Sequence, residues 1–195
     1  MKFNLALLTL AALLVGSVQA APQPARGAEA RQASSWMADA RTGCKVWDPV
    51  PEPTESVRWS GACVDGFASG PGVTEWLENG AVTERTEAAR AGGHLQGRGV
   101  QTMVNGDRFE GIWRDDRKDG FGTYVSAQGW TYAGGFKNDL FEGVGVMTER
   151  KGGRYEGGWK AGLRNGQGTY TGADGTRFSG LWVNGEPVNG PRSVL

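Results

Sequence analysis

From Phe109 onward, rings and glycines fall on alternate positions, broken by a short charged stretch: "FEGIWRDDRKDGFGTY", residues 109–124. The order returns as "YAGGFKNDLFEGVGVM" from Tyr132 and as "YEGGWKAGLRNGQGTY" from Tyr155, each 23 residues after the last. Alternation at period 2 between turn residues predicts strands, and each unit predicts a β-hairpin. A turn at Asp115 to Lys118 pairs Trp113 with Gly120, Gly111 with Gly122 and Phe109 with Tyr124, with all six on one face. Glu110, Ile112, Arg114, Asp119, Phe121 and Thr123 take the other. A single-layer sheet has no second layer to cover its rings. Glycines on the ring face leave room for a Trp to lie over the backbone and the next hairpin. Each ring buried this way removes ~150–250 Å² from water. No hairpin is stable alone, but stacked units are. The expected fold class is all-β: an elongated single-layer antiparallel sheet of consecutive β-hairpins with a disulfide-linked N-terminal cap.

The first ring positions are Trp59, Phe109, Tyr132, Tyr155 and Phe178. Gly-x-Gly pairs stand at 70/72, 97/99, 120/122, 143/145 and 166/168, so the spacings are 27, 23, 23 and 23. A degenerate second unit with four extra residues therefore precedes the regular ones, with Thr86 and Arg90 where rings are expected. That irregularity predicts a notch or bend, and a place for specificity. The domain plan is a signal over 1–20, a mostly disordered linker over 21–43, a Pro-rich capping segment over 44–58, and a repeat domain over 59–195. The last holds about five units and a truncated sixth. A short helix over 29–40 is compatible with the linker's composition. Pro49, Pro51 and Pro53 alternate, which reads either as a strand able to pair on one side only or as an extended polyproline connector. Pro187 and Pro191 are expected to interrupt pairing at the far end.

Composition changes this picture in three ways. Glycine is in excess, 33 of 195, against a usual share of about 7%; the eight Trp and the strict period argue against low complexity. Lys2, the apolar run "LALLTLAALLV" and "VQA" ending at Ala20 read as a cleaved export signal, too short for the ~20 residues that span a bilayer. Cys44 and Cys63, downstream of it, read as a disulfide in an oxidising compartment, and with one His they fall short of a four-ligand metal site. Without residues 1–20, which carry only Lys2, the chain has 20 basic and 21 acidic residues. Across residues 59–186 there are 14 basic and 16 acidic residues, interspersed. Nucleic acid is not expected as a partner, and charge does not support a membrane surface.

The spacing Tyr-x-Gly-x-Trp-x-x-Gly-x-x-x-Gly-x-Gly resembles the MORN repeat. "YEGGWKAGLRNGQG" (155–168) matches at every fixed position; "FEGIWRDDRKDGFG" departs at Asp116, "YAGGFKNDLFEGVG" at Phe136 and Asp139, and "WSGACVDGFASGPG" at Trp59 and Cys63. The segment "GCKVWDPVPEP" through "WSGAC" is similar to the start of small exported bacterial MORN proteins. The resemblance implies an elongated, twisted sheet of hairpins, a scaffold or interaction role, a lipid link in some members, and no shared catalytic residues. The expected function is a non-enzymatic, exported binding or scaffold protein of a bacterial envelope, periplasmic or secreted, acting through protein–protein contact. The alternatives are direct binding of peptidoglycan, another glycan or membrane lipid by the aromatic face, and last a hydrolase.

Candidate chemistry is sparse. His94, the only histidine, stands at an expected hairpin turn with no nucleophile or orienting partner in its motif, and reads as a solvated turn residue. "DDRKDG" (115–120) gathers three carboxylates but lacks calcium-loop spacing and carries Arg117 and Lys118. The Gly-x-Gly pairs have neither the third glycine nor the helix of a phosphate loop. Glu142 and Glu156 are a paired-carboxylate candidate of unknown separation. The candidate binding residues are the aromatic stripe Trp113, Tyr124, Trp130, Tyr132, Tyr155, Trp159, Tyr170 and Trp182. They read either as a groove for a glycan or peptide or as the sheet's own packing. No cofactor and no metal is expected, the partner is a protein or an envelope polymer, and the chain is expected to be a monomer.

Overall fold

A computed structural model describes residues 35–190. The expected signal, the linker as far as residue 34, and Pro191 lie outside the described residues. Among the described residues there is no helix, and fifteen strands form one sheet. The regular array runs through β7 (His94–Met103), β8 (Arg108–Arg114), β9 (Arg117–Val125), β10 (Thr131–Lys137), β11 (Leu140–Thr148), β12 (Arg154–Lys160), β13 (Leu163–Thr171), β14 (Arg177–Val183) and β15 (Glu186–Pro187). Each strand pairs antiparallel with the next.

The hairpins close differently from the expectation. Asp115 and Asp116 both have positive φ, 47° and 65°, with Arg114 opposite Arg117. This is a two-residue type I′ turn, whose twist matches that of the strands it joins. Asn138–Asp139, Ala161–Gly162 and Asn184–Gly185 repeat it. Trp113 therefore lies opposite Lys118 in its own hairpin, not Gly120. Gly120 instead faces Phe136 of the next unit, as Gly97 faces Trp113 and Gly143 faces Trp159. The register shift between Gly111 and Trp113 is a bulge, and Gly120 there has φ 133°. A left-handed backbone at a bulge favours glycine.

The second glycine of each pair serves another purpose. Gly99, Gly111, Gly122, Gly134, Gly145, Gly157, Gly168 and Gly180 pair in one unbroken row across the sheet. The first ring of each unit lies along that row. A Cβ on Gly145 would stand 2.6 Å from Tyr132 Cζ, and one on Gly168 2.6 Å from Tyr155 Cζ. The Tyr or Phe, rather than the Trp, covers the glycine pair. The indoles reach back one unit instead: Trp159 and Trp182 donate to Gly145 O (3.2 Å) and Gly168 O (3.3 Å). Edge-to-face contacts then run from ring to ring, Tyr132–Trp159 at 5.2 Å and Tyr155–Trp182 at 5.0 Å.

The N-terminal part is built from β1 (Ser35–Ala38), β2 (Lys45–Asp48), β3 (Glu55–Trp59), β4 (Ala62–Val64), β5 (Phe67–Glu78) and β6 (Ala81–Ala91). Ser35 to Ala38 is a strand, so the last residues of the expected linker are ordered as the first half of a hairpin and no helix forms there. β3 and β4 lie end to end along β5, which pairs with β6 on its other edge. The four extra residues of the degenerate unit are absorbed as longer strands joined by Asn79–Gly80. Pro49, Pro51 and Pro53 lie in the connector from β2 to β3, not in a strand, so their missing N–H groups remove no ladder bond. Pro187 does not interrupt pairing; it sits in β15 opposite Trp182. Cys44 and Cys63 form the disulfide, tying the β1–β2 hairpin to β4. A single parallel bridge, Lys45 to Phe67, joins that hairpin to β5.

Candidate groove on the aromatic face

Two buried clusters form on the ring face. Cys44, Val46, Val57, Trp59, Ala68 and Trp76 make the smaller one. The larger runs from Ala88 and Leu95 through the rings to Trp182. Between them the cross-strand row reads Trp59, Thr74, Thr86, Gln101, Phe109, so three polar residues stand where rings would continue the stripe. They line one flank of a groove of about 1000 Å³ or adjoin it. The groove is bounded by the connector after β2, by β5 to β9, and by the loops around Asn105 and Gln128.

At one end, Arg90 occupies the indole position of its unit and is 3% exposed. Its Nε donates to Thr74 Oγ1 (2.9 Å), and its Nη1 donates to Gly93 O (2.6 Å) and Asp116 Oδ1 (3.4 Å). Burial lowers its pKa to about 10, partly offset by Asp116 and Glu84, so it stays charged at neutral pH. Asp116 also accepts from Leu95 N (2.7 Å) and bonds His94 Nδ1 at 2.5 Å. His94 is therefore not a solvated turn residue: the turn is Gly92–Gly93, and the imidazole packs between Trp36 (5.2 Å) and Trp47 (5.5 Å). A His–Asp pair invites a nucleophile, but the groups bonded to or packed on His94 are Asp116, Trp36 and Trp47, none of which is one.

At the other end, Tyr124 stacks on Trp130 at 5.0 Å and donates to Asp107 Oδ2 at 2.7 Å. Burial opposes ionisation of Asp107, but hydrogen bonds from Tyr124, Ala127 N, Asn105 and Ser126 outweigh it and hold the carboxyl below its usual range. On the floor, Lys118 lies 4.8 Å over the Trp113 ring and 5.2 Å over Phe109. Four residues that line the groove carry a buried polar atom with no protein hydrogen-bond partner: Asp48 Oδ2, Gln101 Oε1, Trp113 Nε1 and Trp130 Nε1. Such atoms are costly when left unpaired.

Of the eight stripe residues, the groove brings together Trp113, Tyr124 and Trp130. Tyr132, Tyr155, Trp159, Tyr170 and Trp182 lie outside it, each under 9% exposed within the array. The carboxylates of Asp115, Asp116 and Asp119 diverge to Gln96, to Arg90 and His94, and to Arg114 and Lys137 respectively. Glu142 accepts from Ala161 N, whereas Glu156 pairs with Arg154. Among the described residues no group of His, Cys, Asp or Glu is placed to hold a metal ion, and no helix is long and apolar enough to cross a membrane. Sequence reasoning missed Gln101, Asp107 and the second residue after two of the turns, Lys118 and Arg164, each of which covers the rings of its hairpin. The substitutions Thr86 and Arg90 were the available signal.

The family model of the MORN repeat matches residues 91–108, 109–131, 132–154 and 155–177; the last three coincide with the hairpins β8–β9, β10–β11 and β12–β13, and the first spans β7. No curated protein matches the chain. Repeats of this family are commonly protein- or membrane-binding scaffolds and generally non-catalytic. Residues 91–177 of the chain are four consecutive MORN repeats.

Proposed function

We propose that this is a non-enzymatic, exported binding module that grips a protein partner in the groove of its aromatic face. The observation that carries the reading is the groove itself. It combines a ring floor with two unpaired donors and two unpaired acceptors, and lies where the array departs from its repeat. Export is supported by the signal pattern of residues 1–20 and by the Cys44–Cys63 disulfide. The competing polymer reading rests on Trp130, half-buried and stacked on Tyr124 at the groove's edge.

The test places a photo-crosslinking residue at Gln128, on the groove wall, in the protein expressed in its own host. One or two discrete protein adducts, lost when Trp130 is also replaced by Ala in a protein that still folds, are expected. Co-sedimentation of the oxidised protein with bacterial sacculi, weakened by the same Trp130→Ala change and without protein adducts, would replace this reading with the polymer one.

A further inference from the structure

In sequence the acidic and basic residues of the repeats are interspersed, but in space carboxylates gather along the groove. The groove is lined by eight carboxylates and two cations, Arg90 and Lys118. Opposite-face pairs such as Arg98–Glu110 and Arg154–Glu156 are balanced. We propose that the groove binds an extended segment of a partner protein rich in Lys and Arg. The inference rests on the protein-binding reading and adds the chemistry of the partner.

Three observations support it. The carboxylates are spread along the groove, from Asp48 and Glu52 beside the cap, through Glu78, to Asp107 and Asp139 in distant turns. They do not converge on a point where a metal ion could sit. Charge distributed this way complements a chain bearing several cations rather than a single ion. Two rings of the groove, Trp47 and Trp130, are partly exposed and offer faces to such side chains, and the fold already seats a cation on a third, Lys118 over Trp113 at 4.8 Å. The unpaired atoms also suit a peptide. Asp48 is fully buried, with Oδ1 taken by Val50 N and Oδ2 without a partner; Gln101, 6% exposed, also has an unpaired acceptor. These atoms are covered by their neighbours, so a guanidinium, ammonium or backbone N–H reaches the acceptors, and a backbone carbonyl the Trp113 and Trp130 indoles, as the side chains over them move on binding.

The experiment measures fluorescence anisotropy of a labelled alternating Arg–Ala decapeptide with the oxidised protein, against a Glu–Ala decapeptide, across a salt series. Binding of the Arg peptide alone is expected, weakening as salt rises. Glu52→Lys with Glu78→Lys, both exposed, is expected to weaken it at least tenfold, and Glu156→Lys on the opposite face to leave it unchanged. Equal binding of both peptides, no binding, or equal loss with Glu156→Lys overturns the inference. Crosslinks from Gln128 into the chain's own residues 21–34, which carry Arg26 and Arg31, overturn it too, because the groove then holds its own tail. If the Arg peptide fails while Gln128 still captures a specific protein, the protein-binding reading stands and only the charge inference falls.

Discussion

The two glycines of each Gly-x-Gly pair are required for different reasons, and these can be tested apart. Gly143 has φ +76° and open space around its Cα, whereas Gly145 lies under the Tyr132 ring. Gly145→Ala is expected to cost about 1–3 kcal/mol by overpacking. That cost should fall by more than half in a Tyr132→Leu background, because the obstructing ring is then gone. Equal cost in both backgrounds, by urea denaturation, would show that the ring does not lie on the glycine row. The four tyrosines report the same burial. Burial is the first cause raising Tyr124, Tyr132, Tyr155 and Tyr170 above a free phenol, Tyr155 to about 12. Their folded values exceed the unfolded ~10, so their contribution to stability is complete below about pH 10 and is lost as pH rises through the folded values. Phenolate absorbance should therefore appear together with loss of near-ultraviolet circular dichroism. Tyrosines ionising near pH 10 in a folded protein would contradict the packing.

At the scale of the element, strands and their faces were legible because period-2 alternation states them directly. The turn was not, because Asp115–Asp116 must adopt positive φ at two non-glycine positions. Composition alone spreads that turn over all four charged residues. The cap was less legible still. Its hairpin is held by contacts distant in sequence, above all Asp39, 1% exposed, which accepts Trp59 N at 2.8 Å and Arg41 Nη2 at 2.7 Å. The Arg41 hydrogen bond, together with the Trp59 and Arg41 amides and against the effect of burial, holds the Asp39 carboxyl well below its usual range. Asp39→Asn is expected to cost about 1–3 kcal/mol at neutral pH. A depressed carboxylate stabilises the fold above its unfolded value near pH 4 and loses that contribution as pH falls toward its folded value. The gap in stability between the parent and Asp39→Asn should stay constant from pH 7 to about 5 and narrow below about 4. A gap independent of pH would remove Asp39 as the link between cap and sheet.

For the molecule as a whole, the polar row of Thr74, Thr86 and Gln101 matters more than any single ring. A linear reading finds the missing rings at Thr86 and Arg90. It cannot find the groove, because Asp48, Asp107 and Asp116 come to line one groove only after the sheet and cap assemble, and charges interspersed along the chain become segregated in space. The same row divides the buried rings into two clusters that share no apolar continuity along it. In a repeat array stability passes between neighbours, so a weak interface uncouples the parts on either side. Denaturation of the oxidised protein should therefore proceed in two steps. Reducing Cys44–Cys63 should move only the step that belongs to the N-terminal cluster, by up to about 3 kcal/mol. Hydrogen exchange assigns the steps: after reduction, amides of β2 to β4 lose protection while those of β8 to β13 keep theirs. One cooperative transition, shifted as a unit by reduction, would mean that Arg90, bridging Thr74 and Asp116 across the row, couples the clusters as tightly as the rings it replaces.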